Sequence, residues 1–106
     1  HDDGHMSLIS VSNIALSGLN AAVRRVAASA NNSANLLTPG YQRAVVAQSE
    51  QPNAGVVAKT VRAKEEGSDF VTDIVDRIGS LYTFKANLVS LRVADKMTGT
   101  VLNLKA

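Results

Sequence analysis

The chain has 106 residues, a formal charge of +2 at pH 7, 45% hydrophobic and 4% aromatic residues, and no cysteine. That fits one small domain and excludes disulfides, thiolate metal sites and cysteine nucleophiles. His1-Asp2-Asp3-Gly4-His5-Met6 reads as an expression-tag remnant (residues 1–6) ahead of a single domain over 7–106; setting it aside leaves no histidine, the commonest general base and metal ligand.

Removing Asp2 and Asp3 from the nine acidic residues leaves seven against eleven basic ones, a net +4. Such a balance permits acidic partners without calling for nucleic acid. A core built from so many alanines and valines is thin, and a chain this small buries only about 60% of its unfolded surface, so neighbours would help it. The start Met6-Ser7-Leu8-Ile9-Ser10-Val11 lacks a positive n-region and a long apolar run, so no Sec-type signal peptide is expected. No apolar stretch approaches the ~20 residues of a membrane span.

Helical spacing over about 10–35 predicts the first helix. Leu16, Leu19, Val23, Val26, Ala30, Ser33 and Leu37 step by three and four, as in the seam of a coiled coil. Ser10 or Ser12 can cap its start, and Asn31, Asn32 and Asn35 weaken its last turns by competing for backbone hydrogen bonds. Those asparagines read equally as inter-subunit hydrogen-bonding groups or as helix terminators. Thr38-Pro39-Gly40-Tyr41 then stops the helix: the residue before Pro39 leaves the α region, and Gly40 can take the positive φ of a tight exit.

About 41–64 the pattern turns short, β-branched and alternating, with Gln51-Pro52-Asn53-Ala54-Gly55 between two runs. A small β-hairpin follows; alone it is marginal in water, so it must lean on the helices or stay mobile. Ser68 or Asp69 caps a second helix over about 69–104, with Asp73 in its first turn. One seam of that helix reads Val71, Ile74, Ile78, Leu81, Phe84, Leu88, Leu91, Ala94, Thr98 and Val101. A second face carries Val75, Tyr82, Ala86, Val89, Val93 and Met97. A helix apolar on two faces wants two neighbours. The fold expected is mostly α: two long terminal helices forming an antiparallel helical hairpin or coiled coil, with the small β-hairpin between them.

The residues assigned to intramolecular pairing are Leu16, Leu19, Val23 and Val26 against Ile74, Ile78, Leu81, Leu88 and Leu91. Those left for a subunit interface are Val75, Tyr82, Val89, Val93 and Met97, because the hairpin is too small to hide them and exposed patches of several hundred Å² are uncommon on monomers. Asp73 and Asp76 share a helical face but lack a partner base, and read as a solvated face rather than a catalytic pair. Arg24, Arg25, Arg43, Lys59, Arg62 and Lys64 are scattered without an aromatic stacking platform, and read as salt-bridging or solvated rather than as a nucleic-acid surface. Nothing in the pattern calls for an enzyme, a cofactor, a metal or a small-molecule substrate.

Laid out in this way, the chain resembles the axial proteins of the bacterial flagellum, the rod and hook family. The N-terminal resemblance lies in Asn13-Ile14-Ala15-Leu16-Ser17-Gly18-Leu19-Asn20-Ala21-Ala22, then Ala30-Asn31-Asn32, Ala34-Asn35 and Thr38-Pro39-Gly40-Tyr41. The C-terminal one lies in Phe84-Lys85-Ala86-Asn87-Leu88 and Ala94-Asp95-Lys96-Met97. Asn31, Asn32, Asn35, Thr38, Pro39, Gly40 and Tyr41 form the family motif. Ser33 and Leu36-Leu37 depart from it, and the middle is as short as in a small proximal-rod protein. The resemblance implies a structural subunit whose terminal helices pair and stack into a hollow tube through the periplasm. It implies travel through the flagellar export apparatus without a Sec signal, and partners that are other copies and other rod proteins, with a homo-oligomer expected in isolation. The alternative class is a small helical regulatory or chaperone-like module that binds a flagellar component.

Overall fold

The computed structural model describes residues 7–52, 55–67 and 69–105. Its elements, in order, are helix α1 (Leu8–Ala34), strands β1 (Gln42–Gln51) and β2 (Gly55–Glu66), and helix α2 (Phe70–Lys105). The expected tag remnant, the capping Ser68 and the turn residues Asn53 and Ala54 lie outside the described residues.

Helix α1 starts at Leu8, two residues earlier than its apolar spacing suggests. Ser7, not Ser10 or Ser12, is the N-cap, and its Oγ accepts from Ser10 N at 3.0 Å. Asp69 caps α2: its carboxylate accepts from Thr72 N at 3.1 Å and from Thr72 Oγ1 at 2.8 Å. Those two bonds hold the Asp69 carboxyl below the usual carboxylate range.

The strands form one antiparallel hairpin with Val45 opposite Val61, Ala47 opposite Lys59 and Ser49 opposite Val57. It leans on α1, as an isolated hairpin must. Its inner side packs Ala44, Val46 and Ala58 against Ala28, and Ser17 Oγ accepts from Val56 N at 3.1 Å. The α2 helix lies on another side of α1 and runs antiparallel to it: Asp73 meets Asn32, Arg77 meets Ser29, and Asn87 meets Gly18. The result is three layers, hairpin, α1 and α2, with α1 in the middle.

That central position dictates the composition of the core. The buried apolar residues are Ala15, Ala21, Ala22, Ala28, Ala44, Val46 and Ala94. Small residues let α1 approach two neighbours at once, and a Cβ on Gly18 would fall 2.5 Å from Asn87 Oδ1. The expected seam is corrected accordingly. Leu19, Val26, Ile74, Leu88 and Leu91 are half-buried at the helix contact. Leu16, Val23, Ile78 and Leu81 stay 47–53% exposed, pushed to the flanks by the close approach. With α1 27 residues long and α2 36, the last turns of α2 run past the start of α1, leaving Val101, Leu102 and Leu104 exposed.

Candidate assembly interface

Two sets of residues stand out, one inside and one outside. The inner set locks the three layers where the hairpin leaves α1. Asn32 is 1% exposed, and its side chain is fully used. Nδ2 donates to Ala44 O at 3.0 Å and to Asp73 Oδ1 at 3.1 Å, while Oδ1 accepts from Ala44 N at 2.7 Å and from Tyr41 OH at 2.8 Å. One asparagine thereby joins α1, β1 and α2, which an amide does well because it donates and accepts at once.

Asp73 is also 1% exposed, which corrects its reading as part of a solvated face. Its Oδ1 takes the Arg43 guanidinium at 2.5 Å; Asp73 Oδ2 and Arg43 Nε remain buried without a hydrogen-bond partner. The bond to Asp73 raises the Arg43 pKa, although burial pulls the other way. Ser29 Oγ donates to the Asp73 carbonyl at 2.5 Å, and Arg77 donates to Ser29 O at 3.2 Å and to Ser33 Oγ at 2.6 Å. Ser33, one of the residues that depart from the resembled motif, thus accepts from Arg77. Asp76 is exposed.

The rest of the motif closes the exit from α1. Asn35 is the C-cap, its Nδ2 donating to Asn31 O at 2.9 Å, and Thr38 Oγ1 donates to Asn35 Oδ1 at 3.1 Å. Pro39 lies in the exposed turn, and Gly40 has φ 72°, as a tight exit needs. Tyr41 OH also reaches Asn31 Oδ1 at 2.6 Å, and Arg62 stacks over the Tyr41 ring at 5.6 Å. All three asparagines therefore have hydrogen bonds within their own chain. Sequence reading had Arg43 as salt-bridging or solvated without naming Asp73 as its partner, and it missed Arg77 and Ser29 as parts of this knot; Arg77 was signalled only by its charge, and Ser29 by nothing local.

The outer set is the exposed side of α2. At 100° per residue, Val75, Tyr82, Val89 and Val93 fall on one line, and Asp73, Ser80, Phe84 and Leu91 fall on the opposite side, toward α1. Val75, Tyr82, Val89, Val93 and Met97 are 51–71% exposed. Among the described residues no element covers them. Round the flank, Ile78, Leu81 and Tyr82 border one shallow groove, and Leu81 also borders a second between the helices with Val23, Val26, Ala27, Ala30 and Phe84. The apolar surface is therefore continuous from the outer line of α2 to α1. The accessible surface totals 7580 Å², against about 5,700 Å² for a compact monomer of this mass.

Among the described residues there is no group of three or more metal-ligating side chains and no helix long and apolar enough to cross a membrane. No protein-family model matches the chain, and no curated protein matches it.

Proposed function

We propose that this chain is a structural subunit of the bacterial flagellar basal-body rod, assembling with other copies and other rod proteins through its terminal helices, and not an enzyme. The observation that carries the proposal is the open outer face of α2. A helix with α1 on one side and an apolar line on the other is half of a larger helical packing, and exposed stripes of this kind mark interaction sites. The rod placement itself rests on the sequence resemblance, which also implies a periplasmic location reached through the flagellar export apparatus.

The interior suits the role. A polar knot specifies one arrangement of the three layers, while the alanine line between the helices contributes little burial, so the large side chains are left for contacts between subunits. Mass spectrometry of purified basal bodies tests the proposal: the chain is expected among their components. Its consistent absence there, with the protein remaining in the cytoplasm, would overturn the rod reading in favour of a regulatory module.

A further inference from the structure

The charges beside the outer line of α2 narrow what can cover it. Lys85, Arg92 and Lys96 are exposed and lie along one flank of the Val75–Tyr82–Val89–Val93 line, about 60–100° round from Val75 at 100° per residue. None of the three side chains has a hydrogen bond or ion pair with a described residue. On the other flank the residues beside these cations are Thr83, Ala86 and Ser90, which are uncharged. Of the acidic residues of α2, Asp73 is buried, Asp95 sits round toward α1, and Asp76 is exposed about 100° round on the other flank, more than two turns before Lys85. The α1 helix has no acidic residue at all.

We infer that the preferred occupant of this face is an amphipathic helix of a different subunit, with carboxylates flanking an apolar stripe, rather than a second α2. A second α2 docked antiparallel sets each flank against its own copy, so Lys85, Arg92 and Lys96 meet like charge. Docked parallel, it sets them against the uncharged Thr83, Ala86 and Ser90. Neither, in register, sets a carboxylate beside the three cations. Complementary charge at such positions selects partner and orientation more than it adds affinity. Carboxylates about 10 Å and 6 Å apart along the partner would match the spacing of Lys85, Arg92 and Lys96 at 1.5 Å per residue. The inference rests on the reading of this face as an assembly surface and gives its occupant a sign of charge. An anionic bilayer fits less well, because the flank facing the cations carries Thr83, Ala86, Ser90 and the carboxylate of Asp76, and the stripe holds neither Trp nor Phe.

The test uses a charge-swapped copy, K85E/R92E/K96E in the full chain, whose circular dichroism should equal that of the wild type because all three sites are exposed and unpaired. In sedimentation equilibrium at about 50 mM salt, wild type should bind this copy about tenfold more tightly than it binds itself, and the difference should vanish near 1 M. A neutral copy, K85Q/R92Q/K96Q, should show a smaller preference, since it relieves the like-charge contact without adding a carboxylate. Equal affinities at both salt concentrations, no complex in any mixture, or a tight mixed complex that survives Val89→Asp in the wild-type chain would each overturn the inference. So would binding to phosphatidylglycerol vesicles without a preference for the charge-swapped copy. None of these results bears on whether the chain is present in basal bodies, so the two readings fail separately.

Discussion

Replacing Asn32 by alanine probes the joint on which the three layers depend. The wild-type side chain pairs both the N–H and the C=O of Ala44, itself buried, and donates to the Asp73 carboxylate. The substitution leaves those two backbone groups without Asn32, while Asp73 keeps Arg43 and Tyr41 keeps Asn31. Each stranded backbone group costs about 1–2 kcal/mol, and the charge-assisted bond adds about 1 kcal/mol more. A cleft of about 260 Å³ lined by Asn32, Ala44 and Asp73 gives solvent some access to the exposed groups, which places the total near 3 kcal/mol rather than higher. For a domain of this size that corresponds to a fall in Tm of about 12–24 °C. The comparison is Asn31→Ala, which removes an exposed partner of Tyr41 and should cost under about 1 kcal/mol. Urea unfolding followed by circular dichroism reads both. A loss below about 1 kcal/mol for Asn32→Ala, or an equal loss for Asn31→Ala, would refute the claim that Asn32 holds the layers together.

Other perturbations separate the remaining parts of the account. Gly79 has open space around it, so Gly79→Ala should stabilise by about 0.5–1 kcal/mol. Gly18→Ala should yield no such gain, because its Cβ would displace an Asn87 side chain that donates to Thr83 O at 2.9 Å; thermal melts decide both. The depressed pKa of Asp69 contributes stability that is present above its unfolded value near 3.8 and lost as pH falls through the folded value. Urea midpoints between about pH 5 and pH 2 should therefore fall less steeply in Asp69→Ala than in the wild type. Light scattering over a concentration series at high salt, where like charges are screened, should give a mass above the 11.1 kDa monomer; Tyr82→Ser with Val89→Ser should restore the monomer.

The elements were legible because their signals are local. Spacing of three and four gave both helices, β-branched alternation gave the hairpin, and Thr38-Pro39-Gly40-Tyr41 marked the exit with its positive φ at Gly40. The partition of side chains was less legible. Leu16, Val23, Ile78 and Leu81 follow the seam pattern of a two-helix pair, but α1 serves two neighbours and its contact line runs instead through Ala15, Gly18, Ala22 and Ser29. Periodicity finds a helix face; it does not say how many partners will share it. Asp73 was misread because its pairing with Arg43 spans 30 positions and depends on the hairpin folding back along α1. The outer face of α2 was readable for a simpler reason. A second apolar line on a helix with one strong partner has nowhere within the chain to go.

The most direct measurement is incorporation. Basal bodies are purified from cells carrying either the wild-type chain or Tyr82→Asp with Val89→Asp, two exposed sites whose change leaves the fold intact. The wild-type chain is expected in the purified structures and the variant absent from them, at equal cellular levels and equal helix content. Equal incorporation of both chains would contradict the assignment of the α2 outer face to assembly, and absence of the wild-type chain would contradict the rod itself.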